Sequence, residues 1–230
     1  FYWWTHVEGQ TVIAVSDCTG HGVPGAFMSM LGISFLREIV MKEYITHPGV
    51  ILQKLRKEIV KTLKQKTEGK GRKDGMDMAV ISINHETNTL QYAGANNPLY
   101  IITNDELKIE NENSIRLFER AKELNNAEKY FYEVKPDKMP VAIYDRMDRF
   151  TTHSITLQKG DMLYLVTDGF ADQFGDKDNR KFKSKRVKEL LLQNSHKSLH
   201  KQQILLENTF MAWKGNNEQI DDVTVVGIRI

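Results

Sequence analysis

The chain has 230 residues, with 32 lysines and arginines against 30 aspartates and glutamates, so its formal net charge is only +2. That balance argues against a dedicated nucleic-acid protein, which needs a strongly basic face, and the 40% hydrophobic content is enough to bury a real core. The length suits one large α/β domain over residues 1–230, and the single cysteine, Cys18, excludes an internal disulfide and suits a reducing compartment, expected to be the cytoplasm.

A start reading Phe1-Tyr-Trp-Trp4 carries no signal peptide pattern and suggests a stretch lying inside a larger protein. No window of about 18 apolar residues is expected to span a membrane. Phe1 to Trp4 and Thr11 to Val15, separated by Glu8-Gly9, predict a hairpin. Thr11 to Val15 is β-branched apart from Ala14, the pattern of a buried strand, and Asp17 falls where that strand emerges. A carboxylate there must meet a cation, a donor or water, because an unpaired buried charge costs on the order of several kcal/mol.

The next turn, Gly20-His-Gly22-Val-Pro-Gly25, has the G-x-G-x-x-G form of a dinucleotide-binding loop, with Glu38 or Glu43 near the spacing of its ribose acid. Context excludes that reading. Ser16-Asp-Cys-Thr19 separates the strand from the first glycine, Asp17 would repel a pyrophosphate, and residues 25 to 66 read as helix where a second strand is required. The glycines instead let the backbone turn across the strand end beside Asp17.

Phe27, Met28, Leu31, Phe35, Ile39 and Val40 predict a helix that ends before Pro48. A second helix is predicted from about Val50 to Lys66, with Ile51, Leu55, Ile59 and Leu63 inward and a lysine-rich, solvated outer face. Residues 67 to 75 read as a loop. Asp77 to Ile83, Leu90 to Ala93 and Leu99 to Thr103 form a meander, which favours antiparallel sheet. Residues 104 to 138 are the hardest to read, with a short helix expected over Leu117 to Leu124. Strands follow over Phe150 to Leu157 and Asp161 to Thr167, helices over Ser184 to Gln193 and Ser198 to Trp213, and a final strand after Asp221-Asp222. The basic run Arg180 to Lys188 reads as a solvated helix start, with docking of a phosphorylated partner as its alternative.

Asp17, Asp168 and Asp221 share one arrangement, each at the tip of an apolar strand. Singly, each suits a turn or cap; together they suggest one cleft, and converging carboxylates stay ionised only with cations. Oxygen-only ligation selects Mg²⁺ or Mn²⁺ over zinc, and no histidine pair has zinc spacing. Two such ions would activate water against a phosphomonoester. No serine or cysteine pairs with a base at a telling spacing, so a covalent route has less support. Cys18 reads as a packed residue whose thiolate is disfavoured beside carboxylates. His21 is expected at most to hydrogen-bond near the ions, Asp77 to orient a water or hold a turn, and Asp222 to point away from Asp221.

Ser16-Asp-Cys-Thr-Gly-His-Gly-Val-Pro-Gly-Ala-Phe-Met-Ser-Met30, Asp74-Gly-Met-Asp-Met-Ala79, Ala93-Gly-Ala-Asn-Asn-Pro98, Met139-Pro140, Thr167-Asp-Gly-Phe-Ala-Asp172 and Asp221-Asp-Val-Thr224 together resemble a SpoIIE/RsbU-type serine phosphatase domain, of the metal-dependent 2C-type phosphatases. The resemblance covers essentially the whole chain in order. It implies an α+β fold, an α-β-β-α sandwich of two mainly antiparallel sheets flanked by helices, with two Mn²⁺ or Mg²⁺ ions at one end. It implies that Asp17 bridges the metals, that the Cys18 carbonyl is a ligand, and that Asp168 and Asp221 hold the second ion. Asp172 matches a ligand for a third ion, but its usual partner acid falls in Gly94-Ala-Asn-Asn97, where amides argue against that ion. The family's first acid directly precedes an aromatic stretch like Phe1-Tyr-Trp3, so one ligand is expected upstream of Phe1.

The resemblance further implies a phosphorylated, anti-anti-sigma-like regulatory protein as substrate and an upstream sensor domain in the same chain. The paired helices over 25 to 45 and 50 to 66 leave the Asp17 turn directly and are expected to act as a regulatory switch, so substitutions on their outer face should alter regulation. Two other readings stand beside the phosphatase: a non-catalytic phosphoprotein-binding module of the same fold, and a metal phosphohydrolase of small phosphoesters.

Overall fold

The computed structural model describes residues 1–20, 22–65, 74–107, 114–122, 128–145, 147–176 and 179–230. These form two compact units, one from Phe1–Leu99 and Val134–Gln158, the other from Tyr100–Glu133 and Lys159–Ile230. Each carries a five-stranded sheet and its own helices, an α+β architecture.

In the first unit, β1 (Tyr2–Val7) and β2 (Gln10–Cys18) form the expected antiparallel hairpin. Glu8 and Gly9 both take positive φ in its two-residue turn, the backbone that matches strand twist. The sheet continues through β3 (Met76–Asn84) and β4 (Thr89–Ala95) to β8 (His153–Thr156), all antiparallel. Both faces of β2 are buried from Val12 to Ser16, which is why it reads as an unbroken apolar run.

On one face, Val12, Ala14, Met78 and Val80 share a core with Met28 and Leu36 of α1 (Val23–Leu36) and with Ile51, Leu55 and Ile59 of α2 (Pro48–Thr62). Pro48 opens α2, where a missing N–H costs nothing, so it starts the second helix as well as ending the first. Past Leu36 the first helix widens into a π-helix over Arg37–Lys42, and Glu43 N–H donates to the Glu38 carbonyl at 3.1 Å. By length and composition Val23–Lys42 is long and apolar enough to cross a membrane. This corrects the expectation of no such window, which looked for an uninterrupted run where Arg37, Glu38 and Lys42 interrupt a high average. Met28, Leu36, Ile39 and Val40 nevertheless pack into this unit's core, as the inner stripe of a core helix does.

In the second unit the sheet runs β10-β9-β5-β7-β6, with β5 (Leu99–Thr103), β6 (Ile115–Lys122), β7 (Glu128–Val134), β9 (Met162–Val166) and β10 (Val225–Arg229). Tyr100, Ile102, Phe131, Met162 and Tyr164 pack with Val187 and Leu191 of α4 (Ser184–Asn194) and Phe210 of α5 (Leu199–Lys214). A short α3 (Gly169–Asp172) follows β9. The helix expected over Leu117 to Leu124 is instead strand β6, with 123–127 outside the described residues. Cross-strand partners on β7 override the weak helical pattern: Phe118 meets Phe131 edge-on, and Arg120 donates to the Tyr130 hydroxyl at 2.8 Å and lies over its ring. The loop expected over 67 to 75 falls mostly on 66–73, outside the described residues; Asp74 and Gly75 lead into β3.

His153 on β8 stacks 6.1 Å from Tyr92. Burial holds its imidazole below the ordinary value, against a smaller opposing pull from Asp137. The unfolded chain therefore takes up this proton at higher pH than the folded one, so the histidine subtracts stability as pH falls from about 7 through the folded pKa. His153→Gln is expected to flatten the fall in melting temperature between about pH 7 and pH 5, as read by thermal unfolding across that range.

Candidate functional site

Strand ends in each unit position the acids singled out in the sequence. In the first unit, Asp17 is the penultimate residue of β2 and lies opposite Asp77 of β3. Asn96, just past β4, donates from Nδ2 to Asp77 Oδ1 at 2.8 Å, so Asp77 is tied into the sheet end through an amide. Thr19 clips the other side: its N–H and hydroxyl donate to the Gly75 carbonyl, and its hydroxyl accepts from Gly75 N–H at 2.8 Å. The chain then folds back tightly, with Gly20 at φ +92° and the Gly25 Cα so close that a Cβ would sit 2.6 Å from the Gly20 oxygen. This is the turn expected from the glycines, and it delivers α1 beside Asp17. His21 lies outside the described residues.

Cys18 is half-buried, and Ser29 of α1 reaches its Sγ at 3.6 Å. Its thiol is pushed up chiefly by burial, while Asp17 adds only a minor share; the sequence reading had the direction right and the larger cause wrong.

In the second unit, Asp168 ends the β9 run and precedes α3, and Asp221 lies in the loop before β10. Their backbones are locked together. Thr167 N–H donates to the Thr224 carbonyl at 3.0 Å, and Thr224 N–H returns to the Thr167 hydroxyl at 2.9 Å. The Asp168 carboxyl is held above the usual carboxylate range, first by desolvation and then by Asp221 and Asp172, with Lys181 pulling the other way. A carboxyl whose ionisation is disfavoured by neighbouring acids marks a place that gains from a cation. Asp172 is already paired: it accepts from Lys181 Nζ at 2.8 Å. That ammonium compensates the Asp172 carboxylate. Asp222 is exposed, as expected, but it precedes β10, so strand alternation is not the reason. Lys181 was missed as an individual because it read as one of several solvated cations, and α4 begins only at Ser184. Asn96 entered the sequence reading only as a substitute for an acid; the one sign of its bond to Asp77 is the asparagine pair ending β4.

The donors are oxygen atoms throughout, the set suited to hard divalent cations. Asp17, with its main-chain neighbour Cys18, would supply one share of the ligands, and Asp168 with Asp221 another.

Over its full length the chain is similar to the SiaA-PP2C domain of Pseudomonas aeruginosa, at 25% identity and TM-score 0.79, covering 80% of that chain. It is also similar to the PP2C phosphatase domain with a fragment of the regulatory domain of SpoIIE from Bacillus subtilis, at 18% identity and TM-score 0.67. The RsbU and RsbW domains of a Mycobacterium tuberculosis protein match at 20% identity and TM-score 0.67. All of this chain is covered in both cases, but only 58% and 54% of those longer chains. The fold is thus that of PP2C-type phosphatase domains. The model of the Stage II sporulation protein E family matches residues 7–118 and 124–230, and the chain belongs to that SpoIIE family. No curated protein sequence matches it.

Proposed function

We propose that this chain is a metal-dependent protein serine/threonine phosphatase whose ligands for two Mn²⁺ or Mg²⁺ ions are Asp17 of the first unit and Asp168 and Asp221 of the second. The observation that carries the reading is the carboxyl of Asp168, crowded by Asp221 and Asp172 in a chain matched to SpoIIE over almost its whole length. When bound, divalent ions lower the pKa of a bound water and neutralise phosphoryl oxygens. The protein's part is to hold these carboxylates at fixed strand ends, with the Cys18 carbonyl beside Asp17. Asp172 and Lys181 set the charge at the rim. No side chain needs to act as a nucleophile: burial keeps Cys18 protonated and poorly reactive.

Both units together are read as one phosphatase domain over residues 1–230, working within a longer sensor or signalling protein in the cytoplasm. The regulatory fragment solved with SpoIIE supports a regulatory domain in the same chain, and the similar RsbU domain supports a regulatory protein partner, read here as a phosphorylated, anti-anti-sigma-like substrate. Phosphate release from a phosphoserine-bearing protein should therefore exceed release from nucleoside monophosphates and other small phosphoesters at equal concentration. The reverse order would move the assignment to a small-ester phosphohydrolase. Tight binding of the phosphoprotein with no release in Mn²⁺ would move it to a binding module.

A further inference from the structure

Between α4 and α5 of the second unit lies a pocket of about 530 Å³ whose lining includes Phe182, Arg186, Leu205, Asn208, Ala212 and Trp213. Its charged side chain is Arg186. The guanidinium lies 4.4 Å from the centre of the Trp213 ring and 4.8 Å from that of Phe182. Both rings are themselves anchored. They meet edge to face at 5.4 Å, Phe182 is buried, and Trp213 Nε1 donates to the Gln173 carbonyl at 3.0 Å. Two fixed aromatic faces therefore hold the guanidinium plane in place, leaving its edge donors for a ligand.

The surrounding charges separate into two groups. Lys181, Lys185 and Lys188 are taken by Asp172, Glu189 and Glu133. Among the described residues no acid pairs with Arg180, Lys183 or Arg186, so the Arg186 charge is left to a ligand. The opposite wall, on α5, sets Leu205 and Ala212 on either side of Asn208 and Thr209, and the same helix exposes Ile204 and Met211. A small anion would use the arginine and leave that strip bare. A protein segment carrying a carboxylate next to apolar side chains would use both.

The pocket also adjoins the acids of this unit through the backbone. Phe182 N–H donates to the Gln173 carbonyl, Lys183 N–H to the Ala171 carbonyl, and Phe174 bridges to Lys181. Phe182 thus lines the pocket while its neighbour Lys181 holds Asp172.

We propose that this pocket docks an acidic, apolar-flanked segment of the phosphatase's protein partner, with Arg186 gripping a carboxylate and Leu205, Ala212, Ile204 and Met211 taking the flanking side chains. That the partner is the substrate rests on the phosphatase reading; the binding itself does not.

The test is fluorescence anisotropy with two short labelled peptides of alternating leucine and glutamate or leucine and glutamine. The glutamate peptide should bind at least about ten-fold more tightly than its glutamine counterpart, as expected for a charge-assisted pair, and more weakly as salt rises. Arg186→Gln should reduce the glutamate peptide to the glutamine level, and Arg186→Lys should fall between, since it keeps the charge and loses the fork. Ala212→Phe, which fills the pocket and leaves Arg186 in place, should weaken both peptides. Thermal unfolding checks that each variant is folded, and hydrolysis of p-nitrophenyl phosphate should be unchanged in all of them. Equal binding of the two peptides, wild-type affinity in Arg186→Gln, or free glutarate binding as tightly as the glutamate peptide would overturn the proposal. Absence of p-nitrophenyl phosphate hydrolysis in the wild type itself would count against the phosphatase reading and leave the binding result intact.

Discussion

Replacing Asp168 by asparagine is expected to cut phosphate release by at least about 100-fold, beyond the roughly 10–100-fold typical of losing an outer-shell partner, while the metal-free protein becomes no less stable. The two effects have one origin. Desolvation, Asp221 and Asp172 all disfavour ionisation of this carboxyl. Its folded pKa therefore lies above its unfolded one, and its charge opposes folding at neutral pH, an opposition relieved as pH falls through the folded pKa. Asparagine removes that charge and keeps the shape, so the melting temperature in EDTA should hold or rise. A residue placed for structure alone would give the opposite pair of results, lower stability with activity retained. Assays of phosphate release and thermal unfolding, each with and without Mn²⁺, measure both arms.

Gly169→Ala should have the next largest effect, through the backbone. A Cβ on Gly169 would overlap the Asp222 carbonyl oxygen and sit 3.0 Å from its carbon. The methyl must push apart the turn after Asp168 and the loop that carries Asp221. Overpacking of this kind costs about 1–3 kcal/mol, and a displacement of about 1 Å at reacting groups can cost roughly 100-fold in rate. The expected outcome is a chain that still folds, with a lowered urea midpoint and most of its phosphate release gone. Wild-type activity in Gly169→Ala would show that the spacing of these two backbones does not matter to the chemistry.

Most of the first unit could be read from its residues because each signal was local. Thr11 to Val15 is β-branched apart from Ala14 and is buried on both faces from Val12 on, Glu8-Gly9 suits a two-residue hairpin turn, and Ile51, Leu55 and Ile59 repeat at helical spacing. The α+β class and the SpoIIE family were legible for the same reason, since six motifs fall in order along the chain. Where the decisive contacts are distant in sequence, reading failed. Strands β6 and β7 carry charged residues at most outward positions and are held by Phe118–Phe131 and Arg120–Tyr130 pairs that no periodicity reports. The π-helical segment at Arg37–Lys42 leaves no compositional mark, and its charges hid the apolar length of Val23–Lys42. Asp17, Asp168 and Asp221 stood out because acids at the ends of apolar strands are conspicuous. The partners of Asp77 and Asp172, Asn96 and Lys181, did not, because an amide and one lysine in a basic run look ordinary.

The most direct measurement is phosphate release from a phosphoserine peptide by the wild-type chain and by a variant with Asp17, Asp168 and Asp221 all changed to asparagine. It is run in Mn²⁺, after chelation with EDTA, and after Mn²⁺ is restored. Release that stops on chelation, returns with Mn²⁺ and is absent from the triple variant is the predicted result. Release that persists in EDTA, or in the triple variant, would contradict it.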